Sequence, residues 1–450
     1  MNQKQQNTPP TKKERRVEIA VFSVLGALFL FTAAFLAGWF GRYSALGKDK
    51  RALLWAIDTA KDNYYKEITD DDLYGQIFDG FALDDYSCFY TASEFKRISD
   101  EKEGVSEGAG FSVYLDENKH IRVYSVAGNS PAQEAGLRDG MYLFAYGASA
   151  EELTKGTINE FVSWAGAQKG EFFLKCGLDE NEETAKVYSL AMGTYTTTYC
   201  TYRDSESSFA FRGKTPKLTE TNEPLAGLDG ATAYLKLDQF NGGAAKEFKA
   251  CLDKMAERGR SNLVLDLRLN GGGYMDILIE ISSYLLKDVP KNASPVVAYA
   301  EFRNGEKISY AAAGSKYYDY FDEDSKITVL ADSNTASASE CLIGALVDYG
   351  TVGYGDIILR KDPVSGVART YGKGIMQSYF NDKSGNVLKL TVAEIFWPNG
   401  HSIHDRGVIE SDGAKAIEAP VLYDAQDTFL QEAIKLLPAG SGSGAGGDLV

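Results

Sequence analysis

Two apolar runs leave the chain little freedom in how it folds. Leu263-Val264-Leu265 lies within Asn262 to Arg268, and Ile327-Thr328-Val329-Leu330 follows some sixty residues later. Neighbouring residues in a strand point to opposite faces, so a strand built from either run needs cover on both sides. Each run gives way to a short polar or glycine-rich stretch and then to a helix-like run. The first passes through Asn270-Gly271-Gly272-Gly273 to Ile277, Leu278 and Ile281. The second passes through Asn334-Thr335-Ala336-Ser337-Ala338-Ser339-Glu340 to Cys341–Val347. Ahead of both stand a strand-like stretch, Ala231–Leu237, and an amphipathic helical pattern of Phe248, Cys251, Leu252 and Met255. Strand–helix–strand repetition predicts a partly parallel α/β sheet, with functional loops at the carboxyl ends of its strands.

One such loop carries Ser337 at a helix start. Downstream, Lys373 stands between Gly372 and Gly374, where backbone can approach another group closely. A hydroxyl at a helix N-terminus and a lysine held nearby suggest a Ser/Lys nucleophile pair. Free N–H groups and the helix dipole would stabilise a developing oxyanion. The lysine takes a proton only when neutral, so its pKa must fall well below about 10.4, as burial in an apolar pocket achieves. Ser337-Ala338-Ser339-Glu340 is also a capping box, and a capping serine needs no catalysis. Composition leaves both readings open. Asp348 would lie roughly 16 Å along the helix from Ser337, too far to act as a triad acid, and reads as a cap or structural partner. Cys341 reads as core, and Asp266 as the tie of a strand end.

The N-terminal 16 residues carry five Lys/Arg and one Glu, in a chain of net charge -16. Between Ile19 and Gly41 there is no charge. At about 1.5 Å per residue that stretch spans a bilayer, and the basic flank places the N-terminus in the cytoplasm and the remainder outside. A cleaved signal peptide is the alternative. The expected core of such a peptide is shorter, and this run ends in bulky Trp39-Phe40. The acidic balance excludes a nucleic-acid binder. Five scattered cysteines without C-x-x-C read as buried thiols rather than a disulfide framework. His401 and His404 lack the partners of a metal motif, so no metal and no cofactor is expected.

Residues 42–103 read as a helical arm, with a turn at Leu83–Ser87 and a short helix opening at Ser93. From Gly104 the pattern turns to strands: Phe111 and Val113, a turn at Asp116-Glu117-Asn118, then Ile121–Val126. Ser130-Pro131-Ala132-Gln133-Glu134-Ala135-Gly136-Leu137 follows. This resembles a PDZ domain of the bacterial protease type over residues 104–178, with Met141 where that motif has an aspartate. The resemblance implies that Gly108, Ala109, Gly110 and Phe111 form the loop that binds a peptide C-terminus added to a sheet edge. Residues 179–225 alternate in the manner of strands, with loops expected at 203–208 and 213–224. Gly213-Lys214-Thr215 lacks the glycine of a phosphate loop. Residues 437–450 read as a flexible tail.

Asp266-Leu267-Arg268-Leu269-Asn270-Gly271-Gly272-Gly273, the Thr335–Glu340 run and Gly372-Lys373-Gly374-Ile375-Met376-Gln377 together resemble the carboxyl-terminal processing (tail-specific) serine proteases. The closing Pro398–Ile403 and Gly407–Asp412 patterns fit, with Ser411 in place of a proline. The resemblance covers about residues 50–435. It implies an α/β (α+β) multidomain chain: cytoplasmic tail 1–16, transmembrane helix 17–41, helical region 42–103, PDZ-like domain 104–178 and a protease core, 179–436, of the crotonase-like (ClpP-like) type. It further implies that Ser337 is the nucleophile, Lys373 the general base and Gln377 the residue that orients the lysine. The oxyanion would be held by the amides of Ala338 and Gly273, with Gly272 as the alternative. The expected partners are protein or peptide substrates with apolar C-termini and, through the N-terminal helix, the cell membrane of a bacterium; a homo-oligomer is left open. The alternative function is a catalytically silent PDZ-bearing scaffold that binds peptide tails.

Overall fold

In a computed structural model, the chain is described from residue 84 to 437, apart from 117, 222, 290–292, 363–364 and 419–426, and at a few positions between 50 and 77. The expected cytoplasmic tail, transmembrane helix and C-terminal tail lie outside the described residues, as does most of the helical arm. Among the described residues no helix is long and apolar enough to cross a membrane. Two compact units divide the chain, 1–81 and 82–450.

The centre of the second unit is an eight-stranded sheet in the order Lys217–Thr221, Ser208–Arg212, Cys200–Arg203, Thr232–Leu237, Asn262–Asp266, Ile327–Ala331, Ile357–Lys361, Lys415–Glu418. The first three strands run antiparallel. The last five are parallel; helices carry the chain back between the first four of them, and the hairpin Ile375–Asn381 and Val387–Phe396 does so before the fifth. The continuous apolar runs are explained by cover on both faces. Leu263, Leu265, Val329 and Ala331 enter one core with helices Ala244–Glu257, Met275–Leu285 and Ala338–Asp348. Val264 and Leu330 point the other way, into a second core under helix Thr428–Lys435. Each fully buried Leu or Val contributes about 1.5–3 kcal/mol of transfer free energy.

A second sheet joins Cys88–Tyr90, Val387–Phe396, Val296–Phe302 and Lys307–Ala311, with Ile375–Asn381 also paired to Val387–Phe396. Helix Ala338–Asp348 packs on it through Gly344, where an added Cβ would sit 2.1 Å from the Trp397 ring.

A smaller antiparallel sheet, Ser112–Leu115, Ile121–Tyr124, Tyr142–Gly147, Glu171–Gly177 and Lys186–Ala191, has its own core with helices Pro131–Ala135 and Ile158–Gly166. Three sequence readings need correction. The boundary at 178 cuts this sheet between its last two strands, since Lys186–Ala191 pairs with Glu171–Gly177 and Leu190 fills the same core. Part of the supposed loop 213–224 is the strand Lys217–Thr221, which closes a hairpin on Ser208–Arg212. The arm contains helix Ala92–Lys102 as expected, but Cys88–Tyr90 is a strand.

Candidate active site

The carboxyl ends of Asn262–Asp266 and Ile327–Ala331 release two loops that hold each other. Thr335 Oγ1 donates to Leu267 O (2.9 Å), Leu269 N–H to Asp332 Oδ1 (3.1 Å) and Ala336 N–H to Asn270 O (3.0 Å). Asn270, fully buried, also anchors the strand beside it by donating to Leu237 O. Ser337 leaves this frame as the N-cap of helix Ala338–Asp348, with φ 56° and ψ -114°. A non-glycine residue there stores roughly 1–3 kcal/mol of strain, which persists only when the surroundings over-determine it.

The determining group is Glu340. Its side chain is fully buried and accepts four hydrogen bonds. Oε2 takes Ser337 N–H (2.9 Å) and Lys373 N–H (2.9 Å); Oε1 takes Gly372 N–H (2.8 Å) and Thr370 Oγ1 (2.6 Å). Ser337 and Lys373 therefore share one oxygen through their main-chain nitrogens, which lie no further apart than twice that 2.9 Å. Burial raises the Glu340 carboxyl above the ordinary carboxylate range, while its four donors act in the opposite sense. The capping-box glutamate of the sequence is thus also a clasp between the serine loop and the lysine loop.

The lysine loop needs its glycines for close approach. A Cβ on Gly374 would lie 2.8 Å from His404 N, and one on Gly372, at φ 92°, would lie 2.9 Å from Arg406 N. Between them Lys373 is half-buried. Burial lowers the pKa of its amine below the usual lysine range, with Lys389 adding to the effect and Asp84 and Glu340 opposing it. The ammonium lies 4.6 Å from the centroid of the Tyr86 ring, and Tyr86 Oη in turn meets Tyr371 Oη at 3.0 Å. No hydrogen bond joins the amine to the Ser337 hydroxyl.

Two loop glycines divide the work at the serine. Gly272, at φ 101°, presses against it: an added Cβ would sit 2.8 Å from Ser337 Cβ and 2.9 Å from Ala338 N. Its own N–H is engaged by Asn270 Oδ1 (2.9 Å). Gly273 turns toward Phe240, and among the described residues neither its N–H nor that of Ala338 is given to an acceptor. Those two amides are the free donors beside the serine.

Gln377 lies on the strand Ile375–Asn381, which follows the lysine loop and is called the lysine strand below, and donates to Thr391 Oγ1 (3.1 Å) across the hairpin. Thr391 also bonds Asp84, and its N–H donates to Ser87 Oγ. Asp84, in the turn expected at Leu83–Ser87, thus stands beside the lysine. Burial tends to raise its pKa, but hydrogen bonds from Tyr86, Thr391 and Ser87 leave it below the usual carboxylate range. The other candidates fall where the sequence put them. Asp348 Oδ2 accepts Asn399 N–H (2.9 Å). Cys341 is core, its thiol pushed up to about 12 by burial. Asp266 binds Arg268 and the Tyr234 hydroxyl. All five cysteines are free thiols, and among the described residues no His/Cys/Asp/Glu group has metal-binding geometry.

Gly108, Ala109, Gly110 and Phe111 line a cleft of about 870 Å³ between the edge strand Ser112–Leu115 and helix Ile158–Gly166. The cleft continues to Gln239 and Asn241, and Asn241 Oδ1 is 2.7 Å from the position a Gly273 Cβ would occupy.

Residues 231–412 match peptidase family S41. The chain is 24% identical to a probable CtpA-like serine protease of Staphylococcus epidermidis over 413 residues, 89% of this chain and 74% of that protein. It is 27% identical to the carboxyl-terminal-processing protease of Synechocystis over 349 residues, 75% of this chain and 70% of that protein. Among solved structures, a putative S41 protease from Bacteroides fragilis shares the fold with a TM-score of 0.50 and 16% identity, over 83% of this chain and 90% of that one. Residues 231–412 therefore form a serine peptidase core that matches family S41, in a chain similar along most of its length to carboxyl-terminal-processing proteases.

Proposed function

We propose that the chain is a membrane-anchored, extracytoplasmic endopeptidase that cuts protein substrates near their C-termini. Ser337 is the nucleophile. Lys373, its pKa lowered by burial, takes the hydroxyl proton in its neutral form as Oγ attacks the scissile carbonyl and returns it to the leaving amine. The amides of Ala338 and Gly273 receive the oxyanion, while Gly272 supplies the room that lets the loop lie against the serine. Gln377 holds the lysine strand in register through Thr391. The substrate tail adds to the edge strand Ser112–Leu115, its carboxylate at Gly108–Phe111, and the chain continues along the cleft toward Gly273. A half-buried lysine shifts toward the pKa a base requires.

The observation that carries this reading is the Glu340 clasp: one carboxylate holds Ser337 and Lys373 by their main chains, beside two unused amide donors. The test is hydrolysis of an unstructured protein by the detergent-solubilised full chain, with and without an apolar tail peptide. The expected result is cleavage by the native chain and a loss of about a thousandfold or more in Ser337→Ala and Lys373→Ala, both still folded. Equal residual activity in all three overturns the assignment and favours a silent scaffold.

A further inference from the structure

The cleft that runs from the small sheet to Gln239 and Asn241 contains a cation with no ion-pair partner among the described residues, although Glu107 also lines it. Lys102 ends helix Ala92–Lys102 and lines the cleft. Its ammonium lies 3.8 Å from the Tyr379 ring centroid and 4.6 Å from that of Tyr274. Tyr274 immediately follows Gly273, and Tyr379 stands two residues beyond Gln377 on the lysine strand. Lys102 is therefore held by rings from both walls of the candidate active site. Among the described residues it has no ion-pair partner, and the charge that acts on it most is another lysine, Lys389. Lys389 also acts on Lys373 and likewise has no ion pair among the described residues. In a chain of net charge -16, a cation left without an ion pair in a cleft, with a second lysine acting on it, is electrostatic potential available to a ligand.

We propose that Lys102, backed by Lys389, forms a carboxylate-binding subsite that reads a negative group on the polypeptide being cut. The ligand class is a carboxylate, either an acidic side chain of the substrate near the scissile bond or the terminal carboxylate of its tail. Three features favour this. The two tyrosine rings fix the ammonium's position without neutralising it, because a ring face offers a quadrupole rather than a charge. Burial and Lys389 lower the Lys102 pKa to about 8, which leaves the amine mostly protonated at neutral pH while making the charge costly to leave unpaired. An arriving carboxylate relieves both the desolvation and the like-charge repulsion, and the bond it forms is charge-assisted. A neutral tail gains neither.

This inference rests on the cleft being the substrate path, so its test does not rely on turnover. Fluorescent peptides would be titrated by anisotropy against the full chain carrying Ser337→Ala. The series differs only in Glu or Gln at single positions and in a free or amidated C-terminus. The expected result is about tenfold tighter binding for a carboxylate at one position or at the C-terminus. That preference disappears in Lys102→Met, which keeps the apolar stem between the rings, and is retained in Lys102→Arg. A preference tied to the side chain identifies an internal acidic residue; one lost on amidation identifies the terminus. Equal affinity across all Glu/Gln and free/amidated pairs overturns the proposal, as does a set of preferences all of which survive Lys102→Met; a free-over-amidated preference that alone survives belongs to Gly108–Phe111. Failure of the native chain to cleave these peptides, with carboxylate-dependent binding intact, counts instead against the protease assignment.

Discussion

Glu340 shows how much one side chain can decide. Its carboxylate accepts from four donors on two loops, and a neutral amide of the same shape has one acceptor oxygen and two unwanted hydrogens. Glu340→Gln therefore sets an N–H group against main-chain donors. The expected cost is about 2–4 kcal/mol, read as a lower unfolding midpoint, together with loss of peptidase activity. Gly272→Ala tests the close approach directly: the added methyl meets Ser337 Cβ at 2.8 Å at a backbone φ of 101°. Activity should fall by about a hundredfold or more, since an ångström of misplacement at the reacting centre costs that much. The charges around Lys373 give a pair of opposite predictions. In the proposed mechanism the active form is the neutral amine, so the acid limb of kcat/KM against pH follows its pKa. Asp84 and Glu340 raise that pKa and Lys389 lowers it. Asp84→Asn removes a raising charge and should move the limb to lower pH, whereas Lys389→Met should move it to higher pH. Both variants moving the same way would refute the arrangement.

Among the elements, those with dense local pattern were legible. The run around Leu263-Val264-Leu265, the helix from Ala338 and the turn at Asp116 each announce themselves through neighbours a few residues apart. What escaped reading depends on distant pairing. Cys88–Tyr90 pairs with Val387–Lys389 across some three hundred residues, and nothing near Asp84 or Tyr86 shows that a lysine lies over them. The same blindness hid the second half of the Glu340 clasp, because S-x-x-E is complete within one helix turn and gives no sign of Gly372 and Lys373. The strand Lys186–Ala191 was assigned to the wrong unit because its alternating pattern fits either sheet. Helix Ala338–Asp348 also shows packing at its limit: Gly344 lets the backbone rest on the Trp397 indole. Gly344→Ala should lower stability by about 2–3 kcal/mol from overpacking alone, as measured by chemical denaturation, and leave the Ser337 loop assembled.

At the scale of the molecule, one cleft is lined both by the small sheet and by Gln239 and Asn241 of the larger core. Ala165 lines it from helix Ile158–Gly166, away from Ser337. Filling it with Ala165→Trp should raise KM for tail-bearing protein substrates severalfold and leave kcat for a short peptide nearly unchanged, which steady-state kinetics on the two substrates would separate. The thread that ties the N-terminal part of this unit to its chemistry is thin. The Tyr86 ring and the Asp84 carboxylate reach the lysine on a short segment paired to the hairpin at Cys88 to Lys389, Phe89 to Leu388 and Tyr90 to Val387, with Thr391 bonded to Asp84 and Ser87. A nick just ahead of Asp84 leaves the base in its native surroundings. A nick just after Tyr90 puts that ring and carboxylate on a fragment free to drift away, so where the segment is trimmed decides whether the amine keeps the neighbours that set its pKa.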